Sequence, residues 1–257
     1  MAMVINTNMA SLNAQRHLSG SQSKLAKSME RLATGKRINS GQDDAAGLGI
    51  SSRLGGKIRG LNQAVRNAND GISMAKAGDS ALAEVQNMLE RMRELATQQG
   101  DGALSSNDIT AISSELTALK TEISNIKGNA KFNDKNLLSG LSAAFQVGEA
   151  VSDVYTLNPT VTGLVPATND IAGIESAIDS VSTARASFGK AITVLESRVS
   201  NGMALSENLS AARSQILDAD IAQETAEMTK ASVLQQAGVS ILAQANQSPQ
   251  VVLSLLQ

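Results

Sequence analysis

The chain has 257 residues, a formal net charge of −2, no cysteine, and aromatic residues at only 2% of its positions. The missing cysteines exclude disulfides, a thiolate nucleophile and a Cys-based metal site. Without a basic excess or aromatic platforms, nothing in the composition indicates a face that binds nucleic acid. The core must be built from Leu, Ile, Val, Ala and Met, which suits packed helices.

The N-terminal stretch, residues 2–32, carries an apolar stripe at helical spacing and predicts an amphipathic helix that needs a partner. No basic region followed by an apolar core opens the chain, so we expect no conventional signal peptide. No run approaches the ~18 apolar residues that cross a bilayer, so no membrane segment is expected. The stripe consists of Ile5, Met9, Leu12, Leu18, Leu25, Met29 and Leu32.

Residues 34–41, TGKRINSG, predict a connector because glycines and polar turn residues interrupt the helical spacing. Asp43 and Asp44 follow just before that spacing resumes. Their carboxylates favour a helix start by accepting backbone N–H groups near the positive end of the helix dipole. Two adjacent Asp residues without a nearby His make a weak metal site, so we interpret them as capping residues.

Apolar residues from Leu54 to Ala96 repeat in alternating steps of four and three, with one slip after Ile72. This heptad pattern, held for about six repeats, predicts one long helix that buries a narrow seam. At roughly 1.5 Å per residue the helix would measure on the order of 65 Å. Such a helix favours a fibre or bundle component over an enzyme.

A glycine-containing break ends the long helix, and residues 109–126 predict a third helix, antiparallel to it because the loop is short. Alternating apolar residues at 145–147 and 154–157 predict a small β-hairpin. We interpret residues 158–169, which Pro, Thr and Gly punctuate, as a surface loop. Helical spacing then returns over residues 171–216 and predicts a second long helix that pairs with the first.

Asp218 and Asp220 indicate a second connector before a C-terminal apolar stripe. From Leu234 onward the spacing of this stripe favours an eleven-residue repeat. The stripe consists of Ile221, Met228, Leu234, Ile241, Ala245, Val252 and Leu256.

These elements are arranged symmetrically about the hairpin, so an up-and-down chain brings its two ends together. The predicted fold is mainly α: a long antiparallel helical bundle with a small β-hairpin, plus a coiled coil of the N- and C-terminal helices. Two paired helices bury only one seam, and each fully buried Leu or Val is worth roughly 1.5 to 3 kcal/mol. Burial on the remaining sides requires further copies of the chain. The alternative is a bundle whose terminal helices dock on its own core.

We therefore predict self-assembly through the terminal helices, which are marginal in isolation. The predicted assembly residues are Ile5, Met9, Leu12, Leu234, Ile241, Val252, Leu253, Leu255 and Leu256.

Enzyme chemistry has little support in this sequence. The single histidine, His17, cannot form a zinc-binding helix with paired histidines, and any Ser/His/Asp site would have to use it. Neither a GxxxxGK[ST] nor a GxGxxG phosphate loop is present. We predict no enzymatic activity, no metal site and no cofactor. A soluble helical carrier or enzyme is the alternative from another class, and it would persist as a monomer or small oligomer.

Several separate motifs resemble those of bacterial flagellins, in the right order and over nearly the whole chain. They are MVINTN at 3–8, GKRINSG at 35–41, DDAAGL at 43–48, FN at 132–133, FQVG at 145–148, LAQANQ at 242–247 and VLSLL at 252–256.

The resemblance implies an inner coiled-coil domain from residues 1–42 and 218–257, and a helical-bundle domain over 43–217 with its hairpin near 132–165. Only the loop 158–169 stands where many flagellins insert outer domains, so the chain resembles a short, core-only member. The implied function is a structural subunit of the extracellular flagellar filament for swimming motility, exported unfolded by the flagellar type III apparatus. The implied partners are further copies of the chain, an export chaperone on the C-terminal helix, and hook-junction and cap proteins. The nearest rival is a hook–filament junction protein, which the match through the middle of the chain disfavours.

Residues 89–96, LERMRELA, are similar to the flagellin segment that vertebrate Toll-like receptor 5 recognises. The resemblance implies that Arg91 and Leu95 contact this receptor, with Glu115 on the next helix as a third contact. Arg91, Glu94 and Leu95 fall off the heptad seam, so we expect Leu95 to be exposed on a solvated helix face.

Overall fold

The computed structural model describes residues 8–254, with side chains as far as Gln247. Within that range the chain is mainly helical, which confirms the predicted fold class. The elements in chain order are α1 (Met9–Thr34), α2 (Gly41–Gln99), α3 (Ser106–Asn129), β1 (Lys131–Phe132), β2 (Lys135–Asn136), β3 (Ala143–Gln146), β4 (Val154–Leu157), α4 (Ile171–Leu217) and α5 (Ile221–Ser254).

The chain divides into two compact units, one of Met1–Gly55 with Leu209–Gln257 and one of Gly56–Asn208. Helices α1 and α5 belong to the first unit, and α3 and the strands belong to the second. Helices α2 and α4 contribute residues to both. The domain boundaries drawn from the sequence, after residues 42 and 217, stay a prediction.

Helices α2 and α4 run antiparallel within the second unit. A Cβ added at Gly202 would lie 3.0 Å from Val65, and a Cβ added at Gly78 would lie 2.6 Å from the ring of Phe188. A later residue of α2 therefore lies beside an earlier residue of α4, which makes the two helices antiparallel. The largest fully buried side chains of this unit are Phe188, Leu82, Leu89, Met92, Leu116, Ile123, Leu137, Leu138, Leu157, Leu164, Ile174 and Leu195.

The buried face of α2 is wider than the predicted seam. Seam positions from Leu61 to Ala96 are buried or half-buried, as expected. A second row of side chains, each one residue before a seam position in the sequence, is also buried or half-buried. Because α2 shares one core with α3 and α4, its apolar stripe has to span about 100° or more. The second row consists of Met74, Ala81, Met88 and Leu95.

Side chains stabilise a kink near the start of α2 and the start of α3. Asp44 has an extended backbone, with φ −167° and ψ 99°, and its carboxylate accepts the backbone N–H of Gly47 at 2.9 Å. It caps the long helical segment that follows the kink, which is the capping role predicted for it. A Cβ at Gly47 would lie 2.7 Å from Cδ1 of the buried Ile38, so a larger residue there would have to displace this side chain. Before α3, Ser105 and Asp108 form a reciprocal capping box.

The predicted hairpin is confirmed, because β3 pairs antiparallel with β4 from Ala143 opposite Leu157 onward. The sequence predicts one hairpin near residues 132–165, whereas the structure has a second, shorter strand pair, β1 and β2, where that region begins. Asn133 and Asp134 join these strands with φ values of 46° and 62°, and positive φ at both central residues is typical of a type I′ turn. The interpretation of residues 158–169 as a surface loop is only partly right. Leu164 is fully buried there because the loop covers the apolar core of the second unit.

Candidate self-assembly and receptor-contact surfaces

Helices α1 and α5 pack against each other in the first unit. Near the start of α1, the Asn8 side-chain amide donates to the backbone oxygen of Ala245 at 2.7 Å. Towards its end, Arg31 pairs with Glu224 at 2.7 Å. The two helices are therefore antiparallel, and the predicted coiled coil of the terminal helices is confirmed.

The seam between α1 and α5 is made largely of small and polar side chains. Its least exposed residues recur in alternating steps of three and four on both helices, which is heptad spacing. The eleven-residue repeat predicted for the C-terminal helix is therefore wrong over its described side chains. The prediction of an eleven-residue repeat depends on the large apolar residues alone, whereas Ala, Gly, Gln and Glu occupy much of the seam. The seam residues are Ser11, Ala14, Leu18, Ser21, Leu25, Ser28 and Leu32 on α1, and Glu224, Met228, Ala231, Gln235, Gly238, Leu242 and Ala245 on α5.

Large apolar side chains lie outside this seam and face solvent. Leu234 and Ile241 are 49% and 58% exposed, and they stand seven residues apart on one face of α5. A row of apolar residues exposed in this way is typical of a protein-contact surface. We call these side chains the outer apolar surface; it consists of Met9, Leu12 and Met29 on α1 and Ile221, Val233, Leu234, Val239 and Ile241 on α5.

The structure thus exposes the four predicted assembly residues whose side chains it describes. The side chains of Val252 and Leu253 lie outside the described part, as do Ile5, Leu255 and Leu256 altogether. The outer apolar surface can exclude water against another apolar helix. Over the described residues, no helix is long and apolar enough to span a membrane, and no group of His, Asp and Glu could hold a metal ion.

Backbone hydrogen bonds join the two connectors of the first unit. The N–H of Arg37 donates to Leu217 O at 2.7 Å, and the N–H of Ala219 donates to Gly35 O at 3.0 Å. Gly35 has a φ of 66°, a left-handed conformation that suits glycine at the end of a helix. The chain therefore leaves α1 and enters α5 at adjacent points.

Asp43 fastens the first connector to α1. Its carboxylate accepts a 2.6 Å contact from Lys27 Nζ, together with the backbone N–H groups of Ser40 and Asn39 at 3.1 and 3.2 Å. The hydrogen bond from Lys27, followed by those two backbone groups, holds the pKa of Asp43 far below its usual range. The sequence indicated a capping role, but it held no signal for the pairing with Lys27, which lies on the preceding helix.

The structure brings Arg91 and Glu115 together on neighbouring helices. Arg91 Nη2 lies 3.2 Å from Glu115 Oε1, and Arg91 Nη1 lies 3.0 Å from Glu94 Oε2, with all three side chains well exposed. The hydrogen bonds to Glu94 and then to Glu115 raise the pKa of Arg91. The surface therefore presents a guanidinium paired with two carboxylates.

The side chain of Leu95 is not exposed on this surface. It is 2% exposed, so the expectation that it is exposed is wrong. Leu95 lies in the second buried row of α2 and joins the core that contains Ile112 and Leu116 of α3. A single heptad seam does not predict the burial of Leu95, because a helix that packs against two neighbours buries more than one row of side chains.

Comparison with known proteins agrees with this architecture. Residues 5–143 match the family model for the bacterial flagellin N-terminal helical region, and residues 171–256 match that for the bacterial flagellin C-terminal helical region. The chain is 38% identical over 272 aligned positions to "Flagellin" of Halalkalibacterium halodurans and 36% identical over 304 to "Flagellin" of Bacillus subtilis (strain 168). It is also 35% identical over 286 positions to the "Flagellar filament 33 kDa core protein" of Treponema phagedenis. Each comparison covers 99% of this chain and 100% of the relative. The chain belongs to the bacterial flagellin family.

Proposed function

We propose that this chain is a structural subunit that polymerises with its own copies into the extracellular flagellar filament for swimming motility. The observation that carries the proposal is the distribution of apolar residues on the terminal helices. Small and polar side chains occupy nine of the fourteen seam positions within one chain, while the outer apolar surface faces solvent. Its natural partner in a filament is the same surface on neighbouring copies.

The energy available from this contact suits polymerisation. Completing the burial of a large aliphatic side chain that is already half covered yields about 1 kcal/mol. The eight side chains of the outer apolar surface therefore offer on the order of 8 kcal/mol per subunit, before the entropic cost of association. Contacts between chains would therefore add to the stability that the seam within one chain gives the terminal helices.

Charge substitutions on the outer apolar surface test the proposal. Leu234→Glu and Ile241→Glu should each abolish seeded polymerisation, because a carboxylate would have to be buried between subunits. Ile171→Glu is the matched control: Ile171 is 43% exposed at the start of α4, outside the terminal pair. Far-UV circular dichroism checks that all three variants fold. If the α5 variants form filaments as readily as the control, the surface is not an assembly contact.

Removal of the C-terminal residues tests whether polymerisation depends on the terminal helices while the second unit folds without their end. Deletion of residues 246–257 removes the end of α5 beyond Ala245, including the Asn246 side chain that accepts a hydrogen bond from Ser11. We expect this truncation to lose polymerisation while Gly56–Asn208 stays folded. Loss of most of the helical signal would instead mean that the second unit depends on the terminal pair.

We also propose export of the unfolded chain by the flagellar type III apparatus, with a chaperone covering the C-terminal helix beforehand. The exposed Leu234 and Ile241 support this, because such a surface needs cover before assembly. The hook-junction and cap proteins would contact the same terminal helices at the two filament ends. Secretion by cells with and without the export apparatus tests the route; secretion unaffected by its loss would contradict it.

A second function, recognition by Toll-like receptor 5, is proposed for the surface around Arg91 and Glu115. The exposed ion pair between these residues supports it, because a preorganised guanidinium binds carboxylates with little ordering cost. Leu95 would support this surface from beneath. Arg91→Ala should weaken receptor signalling, whereas Arg66→Ala, about seven turns away on α2, should not. Equal potency of both variants would remove the assignment.

A further inference from the structure

The methionine side chains of this chain fall into sharply different environments. Met9 and Met29 on α1 are 66% and 52% exposed, whereas Met74 and Met92 in the core of the second unit are 5% and 0% exposed. Oxidation of a thioether requires contact between its sulfur and the oxidant, so reactivity follows exposure. The two exposed residues of α1 should react with peroxide well before the two core residues.

Both exposed methionines of α1 lie outside the seam with α5. The nearest seam residues on α1 are Ser11 beside Met9 and Ser28 beside Met29, and both serines are 7% exposed. Met9 and Met29 are therefore part of the outer apolar surface and contribute little to pairing within one chain. A chemical change at their sulfurs acts first on contacts between chains.

We propose that Met9 and Met29 are oxidation sites through which peroxides block assembly of the free subunit. This inference rests on the proposed role in the filament. The thioether sulfur attacks one oxygen of hydrogen peroxide, and the O–O bond breaks. The hydroxyl now bound to sulfur gives its proton to the departing hydroxide, which leaves as water. Methionine is oxidised to its sulfoxide, and the peroxide is reduced.

The product no longer suits an apolar contact. A sulfoxide carries a strong hydrogen-bond acceptor, which must lose its water when a neighbouring subunit covers it. Oxidised chains keep the buried core of the second unit, because Met74 and Met92 in that core are shielded, but they assemble poorly. Chains already in a filament have the outer apolar surface covered, so the free subunit is the sensitive form.

The variants of the experiment separate these residues from other exposed methionines. Met9→Leu/Met29→Leu removes both sulfurs and keeps apolar side chains of similar volume. Met203→Leu is the matched control, because Met203 is 56% exposed on α4, in the second unit. Full-length subunits are treated with hydrogen peroxide, the residual peroxide is removed with catalase, and filament fragments are added as seeds. Sedimentation gives the critical concentration, and peptide mass spectrometry gives the sulfoxide content of each methionine.

We expect peroxide to raise the critical concentration of the wild type and of Met203→Leu at least about tenfold, equivalent to about 1.4 kcal/mol per subunit. The double variant should stay within about twofold of its untreated value, and methionine sulfoxide reductases should restore the treated wild type. Unchanged assembly of a wild type with both sulfoxides formed would overturn the inference, as would equal inhibition of the double variant. Failure of the untreated wild type to assemble would instead overturn the proposed function, and this inference with it.

Discussion

The contact between Gly78 of α2 and Phe188 of α4 gives a sharp test of the packing of the second unit. A Cβ at position 78 would lie 2.6 Å from Cζ and 2.7 Å from Cε1 of this ring, which is fully buried. The ring cannot swing into solvent, so Gly78→Ala has to push the two helices apart or force the ring off its rotamer. Overpacking of this kind costs about 1–3 kcal/mol.

The same substitution also removes a helix-weakening glycine, which favours the variant by about 0.8–1.0 kcal/mol. The net expectation for Gly78→Ala is a loss of about 0–2 kcal/mol in the free energy of unfolding. Gly60→Ala is the matched control, because Gly60 lies on the same helix with no heavy atom within 4 Å of its added Cβ. It should gain about 1 kcal/mol.

Urea unfolding followed by far-UV circular dichroism measures both variants in the full-length chain. Thermal unfolding should shift in the same direction, by about 2–4 °C per kcal/mol for a protein of this size. Phe188→Leu in the Gly78→Ala background should relieve part of the clash, so the two substitutions should not be additive. If Gly78→Ala stabilises the chain as much as Gly60→Ala does, the helices are not as close as the structure has them.

Three further predictions concern the connector, the core and a helix start. The hydrogen bond from Lys27 is the main cause of the depressed pKa of the Asp43 carboxylate. The stabilisation that this carboxylate gives the fold is therefore present above its ordinary pKa of 3.8 and is lost as the pH falls below that value. Asp43→Asn should therefore lower the melting temperature at pH 7 and flatten its dependence on pH between about 5 and 2; an unchanged pH profile would contradict the role of this pair. Leu95→Ala should cost about 2–5 kcal/mol in urea unfolding because it opens a cavity, and a cost near zero would mean that Leu95 is exposed after all. Ser105→Ala should cost about 0.5–2 kcal/mol by removing the cap of α3, and thermal unfolding with no shift would count against the capping box.

The helices could be predicted from the sequence because their signals are local. The heptad spacing from Leu54 to Ala96 predicts one face of α2, and Asp43 and Asp44 indicate a helix start, which the structure has as the segment after the kink at Asp44. The hairpin followed from the alternation around Phe145 and Tyr155, which face each other across β3 and β4. In each case the pattern depends on neighbours a few residues away, so one sequence was enough.

The errors arose where burial depends on distant partners. A single heptad seam predicts an exposed Leu95, whereas this residue is buried in the core that α2 shares with α3. The prediction for the seam of α5 is wrong because large residues such as Leu234 and Ile241 show the clearer apolar spacing in the sequence, although their side chains face solvent. On α5 the large apolar side chains are divided between the seam and the exposed faces, so side-chain size alone does not mark the contacts within one chain.

Seeded polymerisation of the purified full-length chain tests the central claim most directly. Subunits are mixed with short filament fragments and examined by sedimentation and electron microscopy. The proposed function predicts long, uniform filaments that grow from the seeds above a defined concentration. A chain that remains monomeric at every concentration and with every precipitant would contradict it.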